Sequence, residues 1–201
     1  MNRALIQSLI KQSLSDPSAA AARIFAFKLS RDVLWSAFAL IIVLNVLAAV
    51  LLTPAPPDMA GQPAELQEIM RMLNAPLLMT LVSGGVFVVL IFLLTWVGRV
   101  IGGSGDLGVM LAALTWLQFL TLLSRFIVIA LLYVAPALAQ LALLAIWGLS
   151  LWITLHFIKV AHRFDHIGQA LATFLLTIFG VALGALVFLS VIGSLYKGFA
   201  G

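Results

Sequence analysis

The chain has 201 residues, of which 64% are hydrophobic and 9% charged, where a soluble domain has about 45–50% apolar and about 25% charged residues. Eleven Lys/Arg and seven Asp/Glu are too few to coat a globule of this length, which excludes an ordinary soluble enzyme and a disordered chain and points to a polytopic membrane protein. The +4 charge is spread among the ends of apolar segments, so no nucleic-acid partner is expected, and the lack of Cys excludes disulfides and thiolate chemistry.

The start, Met1-Asn2-Arg3, is not followed by a long apolar core, so a cleaved signal peptide is not expected. Leu5, Ile6, Leu9 and Ile10 recur at helical spacing and predict a short amphipathic helix. Ser15-Asp16-Pro17 is a helix restart, a capping carboxylate before a proline at an early helical position. Residues 19–29 carry Ile24, Phe25, Phe27 and Leu29 with Arg23 and Lys28, which predicts an interfacial helix on the cytoplasmic leaflet. The alternative is a solvated helix docked on the bundle. Residues 1–32 are thus read as cytoplasmic or interfacial N-terminal helices, and 33–201 as a five-span domain.

Five apolar runs follow, at 33–52, 77–97, 107–134, 137–158 and 167–195. Each meets the roughly 20 residues needed to cross a bilayer core about 30 Å thick. They lack the alternation of barrel strands, so the fold class is an all-α polytopic membrane bundle. Thr53-Pro54-Ala55-Pro56-Pro57-Asp58 stops the first run, because proline lacks the N–H and restricts the residue before it. Residues 64–73 space Leu66, Ile69, Met70 and Leu73 against Glu65, Glu68 and Arg71, predicting a short surface helix in the outer loop. Ala135-Pro136 leaves so short a connection that the third and fourth spans must be antiparallel neighbours. Arg3, Lys11, Arg23, Lys28, Arg31, Arg99, Lys159 and Arg163 fall on one side of this topology, and Arg71 and Lys197 on the other. The positive-inside rule then puts the N-terminus in the cytoplasm and the C-terminus outside. Trp35, Trp96 and Trp152 near cytoplasmic ends, with Tyr133 and Tyr196 near outer ends, fit an aromatic belt.

In the order of its parts the chain resembles the Yip domain family, the Ypt/Rab-GTPase-interacting integral membrane proteins, in its bacterial form. The shared parts are Asp16-Pro17 leading a helix into the first span, five spans, and the element Val100-Ile101-Gly102-Gly103-Ser104-Gly105-Asp106-Leu107 before an Ala/Leu/Trp-rich third span. The resemblance covers Ser15 to the C-terminus. It implies the five-span fold and, for the bacterial branch, a location in the inner membrane. Eukaryotic relatives act in vesicle traffic through Rab GTPases and carry an acidic Tyr-Gly-Pro element in a longer tail. This chain lacks that element, so Rab-type GTPase binding is not expected of it.

Candidate sites are few. Arg125 is the costly residue, since an Arg at a span centre costs about 2.5–3.5 kcal/mol on insertion scales. Thr115, Gln118, Thr121 and Arg125 share one face of the third span, which could line an ion, solute or lipid-headgroup path. Alternatively, Arg125 snorkels to the outer headgroups or bonds helix carbonyls. His162 and His166, with Asp165 and His156 nearby, have a workable metal spacing but too few converging ligands; headgroup-facing side chains explain them more simply, and neither a metal nor a cofactor is expected. Thr173, Thr177, Gly180 and Gly184 make a small-residue face, expected to pack on another span of the chain or on a second copy. Gly102, Gly103 and Gly105 read as a tight turn, not a phosphate loop, because no Lys-Ser/Thr follows. Asn45 is expected to hydrogen-bond to a neighbouring helix. With no hydrolytic motif in the spans, the expected function is a non-enzymatic adaptor, scaffold or membrane-organising factor. Its expected partners are the lipid bilayer and a homo-oligomer or another membrane protein. The alternative is a small-solute, ion or lipid transporter or channel along Gln118 and Arg125.

Overall fold

The computed structural model describes residues 3–52, 63, 67, 70–72 and 75–200. The described elements are α1 (Arg3–Ser15), α2 (Pro17–Ala26), α3 (Arg31–Leu52), α4 (Pro76–Val100), α5 (Leu107–Val134), α6 (Pro136–His162) and α7 (Ile167–Ala200), with no strand among the described residues. The five helices α3 to α7 are long and apolar enough to cross a membrane. Most of the surface helix expected at 64–73 lies outside the described residues, as do the proline break and the side chains of Tyr196 and Lys197.

Local chemistry sets the ends. Asp16 caps α2 by accepting the Ala19 N–H at 3.0 Å, and Pro17 supplies a preset φ in the first turn. Asp106 does the same for α5 with the Val109 N–H at 3.0 Å. Pro76 and Pro136 open α4 and α6, each where no intrahelical N–H is needed. Ala135 closes α5 and opens α6 at once: its N–H donates to the Leu131 carbonyl at 2.7 Å, and its own carbonyl accepts the Ala139 N–H at 3.1 Å. The two helices therefore turn back on each other through a single residue.

The spans form a ring in the order α3, α5, α6, α7, α4, with α4 also touching α5. One end of this ring is closed. There α3, α5 and α7 begin, α4 and α6 end, and the main core gathers: Leu34 and Phe38, Ile91 and Leu94, Met110 and Leu111, Phe157 and Ile158, and Ala170. At the far end a small cluster of Ile41, Ala48 and Leu122 joins α3 to α5, while α4 before Ile91 and α7 after Thr177 bury no described side chain.

The N-terminal helices correct an expectation. Residues 19–29 were expected on a leaflet, with docking on the bundle as the alternative; the inner faces of α1 and α2 do dock, with Leu9, Ala20 and Ala21 fully buried in the same core as the spans, while Phe27 and Leu29 stay exposed. Two small residues on α2 let it lie close against α6, where Phe25 meets Phe157 edge-on at 6.1 Å. The Trp116 indole N–H of α5 donates to the Ser13 hydroxyl of α1 at 2.9 Å, both buried. Arg23 of α2 donates to the Gln12 side chain of α1. Helices α1 and α2 thus contribute side chains to the same core as the spans.

Candidate functional site

The glycine turn after α4 and the histidine that ends α6 form one structure. Helix α4 closes with Gly102 at φ +100°, a conformation that L side chains rarely adopt. The Gly103 N–H reaches the Gly98 carbonyl at 2.8 Å and the Gly102 N–H the Arg99 carbonyl at 3.0 Å, a Schellman cap. Helix α6 ends the same way with Arg163 at φ +56°, its N–H on Val160 O and the Phe164 N–H on Lys159 O. Between the two caps sits the His162 ring, 1% exposed and stacked on Phe164 at 5.1 Å. The Ser104 N–H donates to the His162 carbonyl at 2.9 Å and the Gly105 N–H to Nδ1 at 3.3 Å, while Arg99 Nε holds the Gly105 carbonyl at 2.9 Å. A Cβ on Gly98 would run into the imidazole; one on Gly103 would come within 2.7 Å of the His162 Cβ, and one on Gly105 within 2.6 Å of Nδ1.

The expected tight turn is present, and it also leaves room for His162. Because Nδ1 accepts from Gly105, the ring proton sits on Nε2, which is buried with no hydrogen-bond partner among the described residues. The metal spacing of His162 and His166 does not survive, because α6 stops at His162 and the pair share no helix. His156 Nδ1 bonds the Trp152 carbonyl of its own helix at 2.8 Å. Among the described residues no three His, Asp or Glu gather as metal donors.

The polar residues of α5 part company. The Asn45 amide of α3 donates to its own Ile41 carbonyl at 2.9 Å and across to the Gln118 carbonyl at 3.1 Å, so it does bond a neighbouring helix. Gln118 takes part through its backbone. The Arg125 guanidinium, half-buried, returns the link by donating from Nη1 to the Asn45 carbonyl at 3.2 Å. Thr115 and Thr121 donate to the carbonyls of Leu111 and Leu117 in their own helix. Thr115 lines a groove of about 360 Å³ among α1, α2, α3 and α5, whereas Thr121 and Arg125 line one of about 500 Å³ between α5 and α6. The four are therefore not one shared lining.

On α7, Thr173 and Thr177 are buried. Gly180 and Gly184 are not packed: a Cβ on either would meet nothing within 4 Å. Within the chain the threonine half of this face is packed, and beyond Thr177 α7 buries no described side chain.

Sequence reasoning missed the Gly98 contact with His162 and the bond from Trp116 to Ser13. A glycine in the last turn of a span, followed by three more within eight residues, is the signal that could have pointed to a close approach.

A family model described as Yip1 domain matches residues 11–193. No curated protein and no solved structure matches the chain.

Proposed function

Because the chain belongs to the Yip1 domain family, we propose that it is a non-enzymatic adaptor or scaffold that acts by binding other segments within the membrane. The observation that carries this reading is the unpacked Gly180/Gly184 face on the part of α7 that buries no described side chain. Small residues let backbones approach closely, which is how helices associate where lipid removes the hydrophobic drive. The occupant is another membrane protein or a second copy of this chain. In this reading the protein sits in a bacterial inner membrane with its closed end toward the cytoplasm, supported by the eight Lys/Arg on that side of the topology. Its N-terminus is cytoplasmic and its C-terminus periplasmic; reporter fusions test this, and a periplasmic N-terminus would overturn it.

The chain has no native Cys, so a single Gly184→Cys gives a clean crosslinking probe in native membranes. A discrete adduct is expected, lost when Gly180→Leu is added. Only the diffuse labelling given by a control on the opposite face of the helix, Leu175→Cys, would sink the adaptor reading.

A second reading, passage of a small solute, ion or lipid along α5, is favoured by the groove beside Arg125. It predicts altered flux for Arg125→Ala in proteoliposomes, with folding retained.

A further inference from the structure

Helices α5 and α6 leave two grooves that share part of their lining. The first, about 500 Å³, runs from Leu132 and Leu143 to Thr121 and Ser150, with Arg125 and Trp147 on its walls. The second, about 330 Å³, shares Thr121, Ser124, Ile146 and Ser150 with it and continues toward Thr154 and toward Ile10 and Leu14 of α1. Together they make a furrow along residues 117–132 of α5 and 142–154 of α6. The first groove is apolar at its Leu132 and Leu143 end and carries Arg125, Ser124, Thr121 and Ser150 toward the other.

This polarity is the reverse of an ordinary lipid-facing surface. At about 1.5 Å per residue, Arg125 stands roughly 13 Å in from the Val134 end of a helix roughly 42 Å long. Trp147 lies about 16 Å in from the Pro136 end of α6, well below the depth at which an interfacial tryptophan sits, and is 77% exposed. Helices α4 to α7 contain no Asp or Glu. The guanidinium makes one hydrogen bond among the described residues, to a neutral carbonyl, which leaves donors to spare and its charge uncompensated. Ser150 adds an independent sign. Most helical hydroxyls here donate back to their own helix, as in Ser13, Thr80, Thr95, Thr115 and Thr121. The Ser150 hydroxyl is exposed in the furrow and makes no such bond among the described residues.

We propose that this furrow binds a phospholipid, with the headgroup phosphate on Arg125 and Ser150 and an acyl chain along Val128, Ile129 and Leu132. The phosphate supplies the anion that the spans lack, and it is planar-fork recognition of phosphate oxygens that guanidinium provides best. The occupant is a membrane lipid rather than free phosphate because the groove's own walls are largely apolar and open: Leu132, Leu143 and Trp147 line it and are all exposed. The proposal rests on the second reading only in using the same groove, and it is independent of the adaptor reading.

The protein is reconstituted in vesicles of phosphatidylcholine, phosphatidylglycerol and diacylglycerol of the same chains, extracted in mild detergent, and its retained lipid read by native mass spectrometry. Wild type is expected to hold phospholipid and not diacylglycerol of the same chains. Arg125→Gln, which keeps a donor for the Asn45 carbonyl but removes the charge, is expected to lose at least five-fold of the retained lipid. Ser150→Leu, which leaves the bond from Arg125 to Asn45 untouched, is expected to lose at least two-fold. Arg31→Gln at the closed end is the unaffected control. Equal retention of diacylglycerol, undiminished retention in either furrow variant that elutes as a single folded species, or displacement by millimolar inorganic phosphate would overturn the proposal. Retention is read without flux, so a binding site that transports nothing is distinguished from no site at all.

Discussion

The closed end and the far end of the bundle are built from the same kind of sequence and behave differently. Both consist of Leu, Ile, Val, Ala and Phe on long helices. At the closed end seven helix segments converge on one buried core, and two Schellman caps meet over one histidine. At the far end α3, α5 and α6 stay together while α4 and α7 present apolar side chains outward. In water the second arrangement would be a fault. In a bilayer it costs little, because lipid tails satisfy Leu as well as another Leu does. The contrast separates two jobs: the closed end fixes the geometry of the spans, and the far end keeps surface available to lipid and to other helices.

That division ranks the expected effects of substitution. The largest belongs to Phe157, fully buried where α2 meets α6. Phe157→Ala should cost about 3–5 kcal/mol, seen as a large drop in Tm in detergent; a loss below about 1 kcal/mol would mean the closed end is not the organising core. Next is Gly98→Ala, whose methyl group would enter the His162 ring. Overpacking of this kind costs about 1–3 kcal/mol. In the Gly98→Ala, His162→Ala double variant the loss should be smaller than the sum of the two, and strict additivity would deny the contact. Third is Trp116→Phe, which removes the bond to Ser13 and should cost about 0.5–1.5 kcal/mol. Limited proteolysis should then cut residues 1–30 faster than in wild type. The smallest is Gly180→Leu with Gly184→Leu, which fills open space and should change stability by no more than about 0.5 kcal/mol. A large stability loss there would mean that α7 packs within the chain after all.

The elements that were legible in the sequence are those whose causes are local. Asp16-Pro17 and Asp106 announce helix starts through a side chain and a backbone three residues apart. The spans announce themselves through run length against bilayer thickness. The gaps concern partners. An amphipathic stretch such as residues 19–29 states that one face needs an apolar cover, and protein and lipid cover it equally well in a hydropathy pattern. The glycine turn and His162 were each noticed, but they are 57 positions apart at Gly105, and no pattern along the chain connects them. Gln118 was noted for its side chain and turned out to act through its carbonyl, which every residue has.

Composition, apolar run length and local capping residues determine the class and the five spans of this chain, because those properties depend on each segment's exchange with the bilayer and on caps closed within one turn. Tertiary structure alone decided that α1 and α2 join the core, that Gly98, Gly103 and Gly105 make room for His162, and that Gly180 and Gly184 remain uncovered. Each of these is a contact, or the lack of one, between segments far apart in sequence. Their meeting depends on how all the helices close around one another, and no stretch of residues carries that information alone.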